Sequence, residues 1–119
     1  CTRESPVHES IKQAITRSSE TDTRLILRSL RNTSRVWANQ LSAEVVALER
    51  AGAGIDRIGP LVAGAKGRGV YESGDVESGI WTVGMIQGLI DDIPACGDLV
   101  RRIMDQAHGL VSGRLAALL

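Results

Sequence analysis

The sequence predicts a mainly α-helical fold with one short β-hairpin or irregular segment. Three observations carry that expectation. Apolar residues recur at helical spacing in three runs: Val7, Ile11, Ile15; then Leu41, Val45, Leu48; then Leu99, Ile103, Leu110. Between the first two runs, residues 23–37 are rich in strand formers and change period. Composition also shifts along the chain, because all 13 glycines lie from residue 52 onward.

Ser5-Pro6 signals a helix start, since Ser caps orphan amides and Pro is tolerated at the first helical position. Val7, Ile11, Ala14, Ile15 and Ser18 mark the inner face, with Glu9, Lys12, Gln13 and Arg17 outside. A strand follows over Thr23–Leu30, Arg31-Asn32 turns it back, and Thr33–Trp37 returns. Helix is the competing reading there, because Leu27, Leu30 and Arg31 also fit its period. Leu41–Ala51 forms a helix with Leu41, Val45, Val46 and Leu48 inward and Glu44, Glu49 and Arg50 outward. Gly52-Ala53-Gly54 ends it. Asp56 caps a short helix containing Ile58, Leu61 and Val62, which accepts Pro60 only in its first turn.

Gly64–Gly69 reads as a mobile loop, since its glycine and lysine spacing is not that of a phosphate-binding loop. The next stretch, Gly74 to Ile90, is the centre of the sequence. Its second half has helical spacing, with Ile80, Gly84 and Gly88 on one face and Trp81, Met85 and Leu89 beside them. Each glycine in a helix costs about 1 kcal/mol against alanine, which implies close approach by a neighbouring element or a flat ligand. Pro94 opens the last helix. Its apolar stripe runs through Leu99, Ile103, Ala107 and Leu110, with Val100, Val111, Leu115 and Leu118 beside it. Such a stripe requires a partner surface.

Acidic and basic residues balance at 14 each, and no like-charge block reaches five, so neither nucleic acid nor a membrane surface is an expected partner. No apolar run approaches the ~18 residues that span a bilayer. Cys1 and Cys96 have no partner pattern, which fits a reduced, cytoplasmic setting. No metal-ligand spacing or nucleophile arrangement is present, and His8 and His108 read as surface histidines. Arg24, Arg28, Arg31 and Arg35 form a basic cluster. It either pairs with Glu20, Asp22 and Glu44 or recognises a dinucleotide phosphate or acidic substrate, because guanidinium forks suit phosphate oxygens.

The run Gly74-Asp75-x-x-x-Gly79-Ile80-Trp81-x-x-Gly84-Met85-x-Gln87-Gly88-Leu89-Ile90-Asp91-Asp92 resembles the C-terminal signature of the nitronate monooxygenase (2-nitropropane dioxygenase) family. A second block is similar to the segment after the last barrel strand of that family. It comprises Thr2-Arg3-Glu4-Ser5-Pro6-Val7-His8, then Arg28 to Val36, and Asn39. The resemblance covers essentially the whole chain. It implies the C-terminal lid and outer-helix portion of an FMN-dependent α/β TIM barrel, and so a chain that is part of a longer enzyme.

On that basis residues 1–5 end the last barrel strand region, 6–72 form a helical lid, and 73–119 complete the barrel's outer helices. The family's catalytic histidine and phosphate-binding loops would lie upstream, leaving no catalytic residue in this chain. The resemblance implies Trp81, Thr82 and Met85 against the flavin, with Tyr71, Arg28 and Arg31 reaching the substrate from the lid. Expected partners are the barrel portion, a nitronate or quinone substrate, NAD(P)H and further copies of the protein. One branch of the family oxidises alkyl nitronates with oxygen; another resembles NADH:quinone reductases, and flavin-type enoyl-ACP reductases are more distant. From a different class, the chain reads as a small self-associating helical module without flavin or catalysis.

Overall fold

In the computed structural model, which describes residues 1–115 and 117, the chain is mostly helical with a two-stranded antiparallel hairpin. It divides into two compact units, one of Val7–Asp91 and one of Cys1–Pro6 with Asp92–Leu119. The sequence places a boundary at 72–73, whereas the units divide at 91–92. Backbone packing and buried hydrogen bonds tie residues 73–91 to the elements before them.

The larger unit begins with α1, Glu9–Thr16. It starts later than Ser5-Pro6 predicts, because His8 is the capping residue: its Nδ1 accepts the Ser10 amide at 3.2 Å. Ile11 is buried as expected, and so is Lys12, placed outside by the sequence. The lysine's aliphatic stem covers apolar surface while its ammonium lies 3.9 Å from Glu9. Strand β1, Thr23–Ile26, pairs with β2, Ser34–Trp37, with Thr23 opposite Trp37 and Ile26 opposite Ser34. The hairpin reading of 23–37 therefore holds over the helical one.

Helix α2 spans Gln40–Arg50. Its end is a glycine-based stop: Gly52 takes φ +74, its amide bonds to Glu49, and the Ala53 amide bonds to Leu48. Helix α3, Ile55–Val62, starts at Gly54 rather than being capped by Asp56, and Pro60 lies inside it. Pro60 removes one amide, a loss an eight-residue helix bears near its end. Helix α4, Gly64–Ser73, replaces the mobile loop expected over Gly64–Gly69. Glycine is a poor helix former, so propensity alone pointed the other way. Tertiary contact overrides it: a Cβ at Gly67 would stand 2.6 Å from the Ile80 carbonyl oxygen, so the helix needs glycine to approach that backbone. Gly74 ends α4 at φ +76.

The helix expected over Ile80–Ile90 also takes another form. Residues up to Gly84 are extended, with the Trp37 amide donating to the Trp81 carbonyl at 3.1 Å and Thr82 bridging to Val36. This segment covers the free edge of β2. Only Met85–Leu89 is helical, as a tight 3₁₀ turn. The helical spacing of the glycines is real, but edge pairing to β2 claims the backbone groups first.

Two apolar clusters hold this unit. Ile26, Val36, Val45 and Ile58 form one; Ile11, Val70 and Trp81 form the other, with Trp37 and Val83 packed against it. Burying each such side chain contributes about 1.5–3 kcal/mol.

In the smaller unit α5, Cys96–Gly109, is followed by wider π-helical turns over Leu110–Leu115. It starts two residues beyond Pro94. Glu4 accepts the Cys96 amide at 2.9 Å, and hydrogen bonds from its own amide and from Cys96 lower its carboxyl below the usual range. The predicted stripe is exposed at Val100, Ile103, Leu110, Val111 and Leu115; Leu118 lies outside the described residues. Among the described residues no helix is long and apolar enough to cross a membrane.

Candidate functional site

The Gly74–Ile90 segment is anchored through Asn39, which precedes α2. Its Oδ1 accepts the Ser42 amide at 2.9 Å, capping the helix. Its Nδ2 donates to the carbonyls of Val76 at 3.0 Å and Gly79 at 2.8 Å. Arg24 closes the network, one Nη1 donating to the Asn39 carbonyl and the Ser42 hydroxyl. Glu77 completes it by accepting the Gln40 amide at 3.2 Å. Asn39 is 4% exposed, so this is a buried and satisfied polar node.

That node sets where the expected flavin-facing residues stand. Trp81 is buried at 3% and stacks on Trp37 with centroids 4.9 Å apart. Its Nε1 donates to the Val76 carbonyl, and Tyr71 meets it edge-on at 6.4 Å. One indole face is thus already covered. Thr82 and Met85, by contrast, are exposed. Met85 shares a shallow depression of about 400 Å³ with Glu20, Ile86, Gly88 and Leu89. The turn beneath is held by Gln87, which is 1% exposed and donates to the Ser19 carbonyl at 2.9 Å. A Cβ on Gly88 would stand 2.6 Å from the Glu20 amide nitrogen, so glycine is required there.

The arginines divide. Arg24 and Arg35 are anchored, Arg35 through the Thr23 hydroxyl at 2.7 Å. Pairing of the cluster with Glu20, Asp22 and Glu44 does not occur among the described residues, whose ion pairs include Lys12–Glu9, Arg101–Asp98 and Arg102–Asp92. Arg28 and Arg31 are exposed. Arg28 lines a second concavity of about 440 Å³ with Arg24, Arg50 and Glu49; Arg31 does not.

Glu49 and Arg50, read from sequence as plain outward residues, are central to that concavity. The Glu49 carboxylate accepts the amides of Leu27 and Ser29, each at 2.9 Å, and the Ser29 hydroxyl at 2.8 Å. Burial pushes its carboxyl up, but the hydrogen bonds from Ser29, Leu27 and Arg28 outweigh it and hold the group below its ordinary value. The geometry depends on Leu27 at φ +59 and Arg31 at φ +55. No residue type at these positions announces a left-handed backbone, so the turn was not legible in the sequence.

These surfaces fit an FMN only in part. Exposed Met85, Ile86 and Leu89 offer an apolar wall and Thr82 a hydroxyl. The Trp81 indole is committed to the core. The described residues therefore offer an apolar wall and a hydroxyl rather than a whole cradle for a flavin.

No family model matches the chain. Among solved structures, it is similar to FabK from Thermotoga maritima, with a TM-score of 0.88 and 24% identity over 99% of this chain. A mutant form of that protein gives a TM-score of 0.79 at 23% identity, again over 99% of this chain. The likeness is one of fold. The chain spans 37% and 34% of the lengths of these two relatives, so what it resembles is about a third of a larger protein.

Proposed function

We propose that this chain is the segment following the barrel strands of an FMN-dependent oxidoreductase of the nitronate monooxygenase superfamily. One observation carries the reading: a fold likeness to FabK over 99% of the chain, in a sequence whose Gly74–Asp92 run resembles that superfamily's signature. FMN would supply the electron transfer when bound. Thr82 and Met85 would wall the ring side of the site, and the turn held by Gln87 would fix Met85 in place. Tyr71, Arg28 and Arg31 would meet the substrate, a nitronate or a quinone. A residue of this chain would cover and orient, excluding water, rather than move the reacting proton.

The test compares two polypeptides, this chain alone and the chain preceded by its own barrel portion. The longer one is expected to purify with FMN and to oxidise either a nitronate with oxygen or NADH with a quinone. The isolated chain is expected to purify without FMN. A colourless longer polypeptide that takes up no FMN overturns the proposal. A second reading, a self-associating helical module, is favoured by the exposed apolar residues of α5.

A further inference from the structure

The concavity at the end of the hairpin has a charge arrangement that the flavin reading uses only at Arg28. The backbone amides of residues 27–29 converge on the Glu49 carboxylate, forming an anion-binding nest whose occupant comes from the chain itself. Because those amides and the Ser29 hydroxyl satisfy Glu49, its charge is not spent on a guanidinium. Arg28 and Arg50 both line the concavity, and neither guanidinium has a hydrogen bond or ion pair among the described residues. Arg24 stands on the same wall, held in place by Nη1. Leu25 and Val46 add apolar surface between these charges.

We infer that this concavity binds a small molecule bearing a phosphate or diphosphate on an apolar body. Two unpaired guanidiniums beside an anchored third outweigh the one carboxylate, so the site selects anions and rejects cations. A guanidinium fork matches two phosphate oxygens at once, and two forks on one concavity match the charge of a phosphate better than that of a carboxylate. A volume of about 440 Å³ is that of a small-molecule pocket, too small for a macromolecular surface. Leu25 and Val46 would take the apolar part of the ligand. Glu49 acts as a positioning residue, holding the 27–29 turn so that Arg28 faces the concavity.

The inference does not depend on FMN and is tested on the chain as it stands by calorimetric titration. The probes are ADP, inorganic pyrophosphate and adenosine. ADP is expected to bind, pyrophosphate more weakly, and adenosine not at all, with ADP affinity falling as salt is added. Arg28→Ala and Arg50→Ala should each weaken ADP by about tenfold or more, the loss of one charge-assisted contact. Both side chains are exposed, so melting temperatures should stay at the parent value. Arg28→Lys should recover only part of the affinity, because an ammonium cannot form the fork. No ADP binding at millimolar concentration overturns the inference, as does equal affinity in parent and both alanine variants. Binding of adenosine as tight as ADP also overturns it. Loss of flavin binding in the longer polypeptide would leave these titrations unaffected, so the two proposals fail separately.

Discussion

At the residue scale, the glycines separate into those the fold requires and those it merely contains. A Cβ on Gly67 would stand 2.6 Å from the Ile80 carbonyl oxygen, and one on Gly79 would stand 2.5 Å from that of Lys66. Helix α4 and the segment at 79–80 therefore touch backbone to backbone. At Gly84, where helical spacing pointed to close approach, a Cβ meets Ile86 Cγ2 at 3.8 Å and the Ile86 amide nitrogen at 4.0 Å, ordinary contact. Gly67→Ala and Gly79→Ala should each destabilise the chain by about 1–3 kcal/mol, the cost of overpacking against atoms that cannot step aside. Gly84→Ala should stay within about 0.5 kcal/mol of the parent. Urea unfolding of all three variants checks this; a Gly84→Ala chain that loses as much as Gly67→Ala refutes the assignment.

At the scale of elements, Asn39 joins the start of α2 to the loop after α4. Removing a capping side chain costs about 0.5–2 kcal/mol. Here Asn39→Ala also strands the buried carbonyl of Gly79, which adds about 1–3 kcal/mol, while the Val76 carbonyl keeps the Trp81 indole donor. We expect a total loss of about 1.5–5 kcal/mol, combining both terms. Asn39→Asp keeps the cap acceptor but offers no donor, so it should retain the helix start and still lose the loop. Hydrogen exchange distinguishes the outcomes: amides of 76–82 should open in Asn39→Asp while the first turn of α2 stays protected. Equal protection of both segments would count against this division of roles. The same scale explains the misread elements. Helical periodicity at 80–90 and glycine content at 64–69 are local signals, and each yielded to a backbone pairing with residues distant in sequence.

At the scale of the whole molecule, the smaller unit leaves α5 with no buried residue. Val100, Ile103, Met104, Leu110, Val111 and Leu115 are each more than half exposed. Exposed apolar surface of this extent is uncommon in a monomer. We expect the chain to self-associate in solution, each buried side chain contributing about 1.5–3 kcal/mol. Light scattering should show a species larger than the monomer, and Ile103→Glu with Val111→Glu should return it to monomer. A parent chain that stays monomeric at high concentration refutes the expectation.

The sequence by itself determined the helical character, the glycine stop after α2 and the apolar stripe of α5, and over 23–37 it left strand and helix both open. Each rests on short-range rules: side-chain period, backbone freedom at glycine, and capping chemistry between near neighbours. Tertiary structure alone decided that α4 is a helix, that residues 80–84 are extended along β2, and that Trp81 lies in the core. It also decided that Glu49 fills a backbone nest, leaving Arg28 and Arg50 unpaired. These outcomes depend on hydrogen bonds and contacts such as Asn39 to Gly79, Gly67 to Ile80 and Leu27 to Glu49. Groups more than a dozen residues apart meet there, and no local pattern records which of them will claim a backbone amide first.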